Sequence, residues 1–306
     1  MIATLTGQDT VKPTVFIHTN HKQMLGAIVS RHSLKKRSAN PDAFDVRFIE
    51  VSDFPCMAAR EGDLYLRDGD KRPWLNNDLQ SFTPLRFAPP QLMGYEGRAV
   101  VMDPDIFAVG DITELLERDM DGKAIVCRPK SGAKARKGAW ASSVMLLDCA
   151  KLTHWEFERE FNEMFIPAQR DYMDWVSLKL EDPATIGLLE NCWNDFDHLD
   201  EHTKLLHNTK RKTQPWKTGL PIDYRPADTF QLFPPRHWLR RARRALFGDY
   251  KFAGRYAKHP DPAQETLFFD LVRECLEDGV LTEDQLRDEI RQGHVREDAL
   301  QLVGAC

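Results

Sequence analysis

Residues 98–116, RAVVMDPDIFAVGDITELL, decide how the rest of the chain is read. The run 99–102 is short and wholly apolar, which predicts a strand buried on both faces. It ends in Asp103-Pro104-Asp105. Pro104 holds Asp103 extended, and residues i and i+2 of an extended segment point the same way. The two carboxylates then share one side, roughly 6–7 Å apart at the backbone by the strand rise, within reach of one hard cation. Left unpaired at the end of a buried strand, they would cost several kcal/mol or shift a pKa. Asp111, with Glu114 three residues on, predicts a capping box and a helix start.

At 306 residues the chain can form one large domain, or one domain with an appended lobe. Its net charge of −5 gives no global attraction to nucleic acid or to an anionic membrane, so no nucleic-acid partner is expected. The six cysteines show no C-x-x-C and no regular spacing, and read as reduced thiols. A basic n-region followed by an apolar h-region is lacking, and no apolar run reaches the length of a membrane span. The expected location is cytoplasmic.

The order apolar strand, Asp-X-Asp, hydrophobic stretch, Gly110-Asp111, helix resembles the metal-binding strand of GT-A-fold glycosyltransferases. It is most similar to glycosyltransferase family 8, the glycogenin and lipopolysaccharide-galactosyltransferase group. The resemblance implies an α/β fold: a GT-A-type nucleotide-diphospho-sugar transferase domain with a mainly parallel or mixed sheet flanked by helices. That domain would cover residues 11–222, followed by a helical C-terminal lobe at 223–306.

The opening of the chain agrees with an α/β unit. Residues 15–17 predict a first strand, 18–21 a polar loop, and 24–34 an amphipathic helix. Ligands of such units sit at the carboxyl ends of the strands. By the resemblance, Ser30 and Ser33 fit the family's helix, and Thr19, Asn20 and Gln23 fall where the family contacts the nucleotide. Residues 44–51 alternate as a second strand, and 55–80 read as an irregular loop with a short helix. Within 81–93, Arg86 matches a family arginine whose guanidinium would fork onto phosphate or sugar oxygens. Further strands are expected at 124–127 and 140–148, a basic loop at 130–137, and a helix at 152–165. Asp174, in DYMDWVSL, matches a family aspartate implied to bind sugar or take part in catalysis. Trp175 replaces the glutamine that lies near the reacting carbon. Trp193-Asn194 is similar to the family's Trp-Asn.

The second anchor is His207-Asn208-Thr209-Lys210-Arg211-Lys212-Thr213-Gln214-Pro215-Trp216. The family ends its catalytic domain with a histidine and then Lys-Pro-Trp. The resemblance makes His207 the third metal ligand beside Asp103 and Asp105. Gln214 replaces the lysine that touches the diphosphate; Lys210 or Lys212 would supply that charge. Pro215 and Trp216 would wall the site. Two carboxylates and one imidazole favour Mn2+ over Mg2+. A rival reading places zinc on His198, His202 and His207, the first two sharing a helix face.

Beyond residue 225 the family pattern ends. Residues 236–246, RHWLRRARRAL, read as a basic amphipathic helix suited to peripheral contact with the inner membrane face. A helix at 267–276 closed by Gly279, and a third starting at the capping box Thr282/Gln285 and ending near Gly293, complete the lobe. The function expected is metal-dependent transfer of a sugar from a nucleotide-diphosphate donor, UDP-sugar above all, to a hydroxyl of a carbohydrate, lipid-linked saccharide or protein, as in cell-envelope polysaccharide synthesis, with retention of configuration. The alternative is a catalytically degenerate glycosyltransferase fold that binds nucleotide or membrane.

Overall fold

The computed structural model describes residues 11–130, 138–224 and 254–304. The chain begins with β1 (Thr14–Thr19), helix α1 (Met24–Lys36) and β2 (Asp45–Glu50). A one-turn helix α2 (Pro55–Ala58) leads to a hairpin, β3 (Leu64–Arg67) and β4 (Asp70–Pro73). Then come α3 (Pro89–Leu92), β5 (Arg98–Met102), β6 (Ile106–Ala108) and α4 (Thr113–Leu116). β7 (Ile125–Pro129), β8 (Trp140–Asp148), α5 (Phe157–Glu163) and α6 (Tyr172–Val176) follow. β9 (Ile186–Leu188), β10 (Asp195–Phe196) and β11 (Leu205–His207) precede the C-terminal helices α7 (Pro262–Glu277), α8 (Glu283–Arg291) and α9 (Ala299–Leu302).

Six strands form one mixed sheet in the order β2-β1-β5-β8-β7-β9. β1 pairs in parallel with β2 and β5, β7 with β9, and β8 runs antiparallel to both its neighbours. This is the mixed sheet flanked by helices that the sequence predicts. The apolar run of β5 is explained by burial on both faces: Val101 packs with Phe16, Met145 and Trp155 on one side, Val100 and Met102 with Ile17 and Val144 on the other. α1 is likewise buried on two sides. Ala27 and Leu34 face the sheet, while Leu25 and Val29 meet Phe268 and Val272 of α7. No helix among the described residues is long and apolar enough to cross a membrane.

Some expectations are corrected. Residues 55–80 hold the β3–β4 hairpin, whose turn residues Asp68 and Gly69 both have positive φ, 59° and 77°. Asp-Gly is a strong hairpin turn, but its charged flanks hide the alternation. Asp111 accepts from the Thr113 backbone N–H at 2.9 Å just ahead of α4, but the N-cap position of that helix is Ile112, which has no side-chain cap. Glu114 leaves the box open, because its carboxylate bonds Lys204 instead at 2.8 Å. The helix expected at 152–165 shortens to α5. The box at Thr282 and Gln285 is present in both directions. Residues 236–246 lie outside the described residues, as do 131–137 of the basic loop.

α5 buries Glu160 against Arg170, whose Nη2 lies 3.1 Å from Oε1, while Oε2 has no partner. Burial pushes this carboxyl up to about 7, against the pull of Arg170. A carboxyl with a raised folded pKa favours the fold at low pH and loses that contribution as pH rises from 4.5 through about 7. Thermal stability should therefore fall between pH 5 and 8, by roughly 2–3 kcal/mol at most from this group. Glu160→Gln should flatten the fall in melting curves at the two pH values. An equally steep fall in the variant would refute the assignment.

Candidate functional site

Two neighbouring aspartates and a histidine about a hundred residues on meet because two pairs of strands bring them together. Asp103 follows β5, and its N–H donates to the Ser143 carbonyl at 3.1 Å, carrying the ladder one residue past the strand. Asp105 directly precedes β6, which pairs antiparallel with β11 so that Ile106 faces His207. The Asn208 N–H closes the corner by donating to the Asp105 carbonyl at 3.1 Å. One ligand atom from each of Asp103, Asp105 and His207 lies within 4.8 Å of the others. His207 Nε2 is 3.4 Å from Asp105 Oδ1 and 3.9 Å from Asp103 Oδ2.

The polar partners show what this cluster is made for. Asn194 Nδ2 donates to Ser143 Oγ at 2.9 Å, which turns the Asn194 carbonyl oxygen toward His207 Nδ1, 2.8 Å away. His207 is thereby held at Nδ1 with its Nε2 facing the carboxylates. Asp105 Oδ2 accepts from Gln214 at 3.0 Å; its Oδ1 is buried with no hydrogen-bond partner. Asp103 is held by Arg86, with Nε at 3.0 Å and Nη2 at 2.6 Å from Oδ1, and by His18 Nε2 at 2.8 Å. Burial alone would raise the Asp103 pKa, but the Arg86 guanidinium, with the hydrogen bond from His18, outweighs it and keeps the carboxylate ionised. Burial pulls His18 down, which favours its neutral form. Two carboxylates and an imidazole, with one carboxylate oxygen orphaned, could hold a metal ion.

Over 224 residues, 68% of its length, the chain is 31% identical to Protein CDI of Arabidopsis thaliana and covers 78% of that protein. The chain belongs to the CDI family. No protein-family model matches it. Among solved structures, this CDI-family chain is similar to the glycosyltransferase GlyE of Streptococcus pneumoniae TIGR4, with TM-score 0.46 and 14% identity over 68% of this chain and 56% of GlyE. It thus spans little more than half of GlyE. It is also similar to the galactosyltransferase LgtC in complex with donor and acceptor sugar analogues, with TM-score 0.47 and 12% identity over 66% of this chain and 89% of LgtC. A third similar structure is mouse xyloside xylosyltransferase 1, with TM-score 0.41 and 15% identity over 64% and 97% of the two chains.

In the CDI-family chain the other sequence-predicted residues lie as follows. Thr19 and Asn20 end β1 and are buried. The Asn20 amide donates to Asp78, Leu79 and Ser81, so its side chain ties residues 78–81 to the sheet. Gln23 is buried, with Oε1 unpartnered. Arg86 bonds Asp103 and, through Nη1 at 3.0 Å, Ser142. Ser142 donates in turn to the Val176 carbonyl at the end of α6, the helix that bears Asp174. Asp174 lies 3.5 Å from Lys179. Lys210 and Lys212 are exposed. Trp216 is 1% exposed, stacked on Phe268 at 4.7 Å and edge-on to Phe107, so its ring is core that anchors α7 and not an open wall. The zinc reading is corrected as well: residues 198–202 form no helix, His202 is almost wholly exposed, and His198 pairs with Asp195 at 3.3 Å. His18, Asn194 and Gln214 were not assigned to the site from sequence. The one signal for His18 is its place at the carboxyl end of an apolar strand.

α1 fixes the height of the acidic loop. A Cβ on Gly26 would sit 2.6 Å from the Pro104 carbonyl oxygen, a backbone atom with no rotamer to escape by. Gly26→Ala gains about 1 kcal/mol of helix propensity, yet should destabilise the fold by a net 1–3 kcal/mol, roughly, through overpacking. It should also lower divalent-cation affinity, because Pro104 separates the two aspartates. Denaturant melts and cation titration check this. A variant more stable than wild type, with unchanged affinity, would refute the tight contact.

Proposed function

We propose that this protein is a metal-dependent glycosyltransferase that moves a sugar from a nucleotide-diphosphate donor, a UDP-sugar, to a hydroxyl acceptor with retention of configuration. The observation that carries the reading is the convergence of Asp103, Asp105 and His207 on one point. The matched order Asp103-Pro104-Asp105, Gly110-Asp111, Trp193-Asn194, His207, Pro215-Trp216 supports it. A bound Mn2+ or Mg2+, held by these three residues, would supply neutralising charge for the departing diphosphate. Asn194 and Gln214 hold His207 and Asp105 in the ligating arrangement. Arg86 and His18 keep Asp103 ionised. Thr19, Asn20 and Gln23 border the nucleotide at the end of β1. Lys210 and Lys212 bring positive charge to the diphosphate, Asp174 binds the sugar, and Trp216 supports the wall from behind. The transferase unit is taken as 11–222 and the helical lobe as 223–306. The five described cysteines are free, which accords with work in the cytoplasm. Residues 236–246 are proposed as a peripheral contact on the inner membrane face.

One observation favours a second reading, a fold that binds nucleotide without turnover. Trp175, where the resemblance has a glutamine near the reacting carbon, is 1% exposed and stacked on Phe87 at 4.5 Å. It brings no polar group to the reaction.

Calorimetry with Mn2+ and UDP separates these readings from their failure. Wild type should bind UDP only with the metal present. Asp105→Asn and His207→Ala should each weaken metal binding by 10-fold or more. Asp105→Asn is the cleaner test, because removing Asp103 strands the buried Arg86. Metal-dependent release of sugar from a UDP-sugar then distinguishes turnover from binding. UDP binding that is indifferent to the metal and to both substitutions would sink the transferase reading, and no UDP binding with or without the metal would sink both.

A further inference from the structure

A second cavity lies beside the site, between the β3–β4 hairpin, α6 and the loop after His207. It is a cleft open to solvent, with a cavity volume of about 130 Å3. Three arginines line it: Arg67 and Arg72 from the hairpin, and Arg211, four residues after His207. Asp78 is the sole acidic residue of the lining. Among the described residues, none of the three guanidinium groups is ion-paired with a carboxylate. Their partners are aromatic. Arg67 lies over the Tyr172 ring at 4.4 Å and donates to the Tyr65 hydroxyl at 3.2 Å. Arg211 lies 5.4 Å over Tyr224. Arg72 is the cross-strand neighbour of Tyr65.

A chain of net charge −5 that gathers three unpaired guanidiniums around one cavity is set to receive negative charge. The donors are held rather than free. Arg67 is fixed in orientation by two tyrosines, and Tyr65 is itself packed edge-on against Trp74 and Tyr172. Guanidinium forks match a carboxylate or a phosphate, and flat aromatic faces match the apolar face of a sugar ring. The cavity wall is tied to elements that carry proposed donor-site residues. Ser81 in its lining accepts from Asn20 at 3.1 Å, and Tyr172 precedes Asp174 by two residues.

We propose that this cavity takes a sugar that bears an oxyanion, either a carboxylate or a phosphate, and that Arg67, Arg72 and Arg211 select it. On the transferase reading, on which this assignment of role rests, that sugar is the acceptor. The enzyme would then extend an acidic glycan and discriminate against neutral ones by the cost of leaving the arginines unmatched.

The test is an NMR titration of the full chain with glucuronic acid, glucose 6-phosphate, glucose and inorganic phosphate, beside the Mn2+–UDP calorimetry. At least one acidic sugar should bind 10-fold or more tighter than glucose and than inorganic phosphate. Preference between glucuronic acid and glucose 6-phosphate tells which oxyanion is read. Arg72→Gln and Arg211→Gln, which leave the Tyr65–Arg67–Tyr172 stack intact, should each lower that affinity at least fivefold with Mn2+–UDP binding unchanged. Equal binding of glucose and the acidic sugars, phosphate binding as tightly as its sugar ester, or indifference to both substitutions would overturn the proposal. Acidic-sugar binding that depends on the arginines without any Mn2+–UDP binding would uphold the pocket and remove the transferase reading.

Discussion

Two carboxylates gathered at one buried point repel each other, and the rest of the site is arranged around that fact. Asn194 holds His207 Nδ1 at 2.8 Å, which leaves Nε2 turned to Asp105 Oδ1, 3.4 Å away. Asp105 Oδ1 is left with no donor although it is buried, a state that costs on the order of 1–3 kcal/mol for a polar group and more for a charged one. Natural folds keep such a cost where a ligand removes it. Arg86 and His18 compensate only Asp103. Counting Asp103, Asp105 and Arg86 alone, one negative charge remains. A divalent cation would turn that balance positive, which is the sign needed to hold an anionic diphosphate.

The C-terminal helices are part of this arrangement and not an ornament on it. Gln264, near the start of α7, accepts from Asn208 at 2.7 Å, and Asn208 is the residue whose N–H fixes the Asp105 carbonyl. The Trp216 carbonyl accepts from Arg296 at 2.8 Å, and the Trp216 ring sits between Phe107 and Phe268. The turn that carries Gln214 to Asp105 is thus clamped from the lobe side. Lys217, which is fully buried, bonds Asp223 at 2.6 Å, and Tyr256 donates to the same carboxylate, so the chain leaving the turn is tied to the segment that returns. Loosening α7 would free His207 and Asp105 together.

The parts of this structure that were legible in the sequence have local causes. β5 and β8 are apolar because both their faces are covered, and that is written in consecutive residues. The capping box at Thr282 needs four residues and is found there. What was not legible depends on pairing between distant elements. Nothing near Arg86 says that its guanidinium will close on Asp103 and Ser142. Trp216 reads as a wall until α7 is seen to cover it. The β3–β4 hairpin carried its Asp-Gly turn in plain view, but its strands lack the alternation that marks a half-buried ribbon.

Arg86 and Asn20 show how far a resemblance carries and where the fold must be consulted. Both match positions implied to touch substrate, yet here their side chains are already engaged by protein, Arg86 with a carboxylate and Asn20 with three acceptors. Asn20 fastens residues 78–81, of which Asp78, Gln80 and Ser81 line the arginine cavity, to the end of β1. A ligand that bonds Asn20 would have to compete for that amide and so loosen the cavity wall. The opposite ordering costs nothing: with the wall fastened first, the cavity is preformed, and what binds there meets guanidiniums whose desolvation has in part already taken place. This favours a second substrate that docks on a rigid surface, while the adjustment on binding falls on Arg86, which can trade one oxygen of Asp103 for an oxygen of the incoming group without leaving its place.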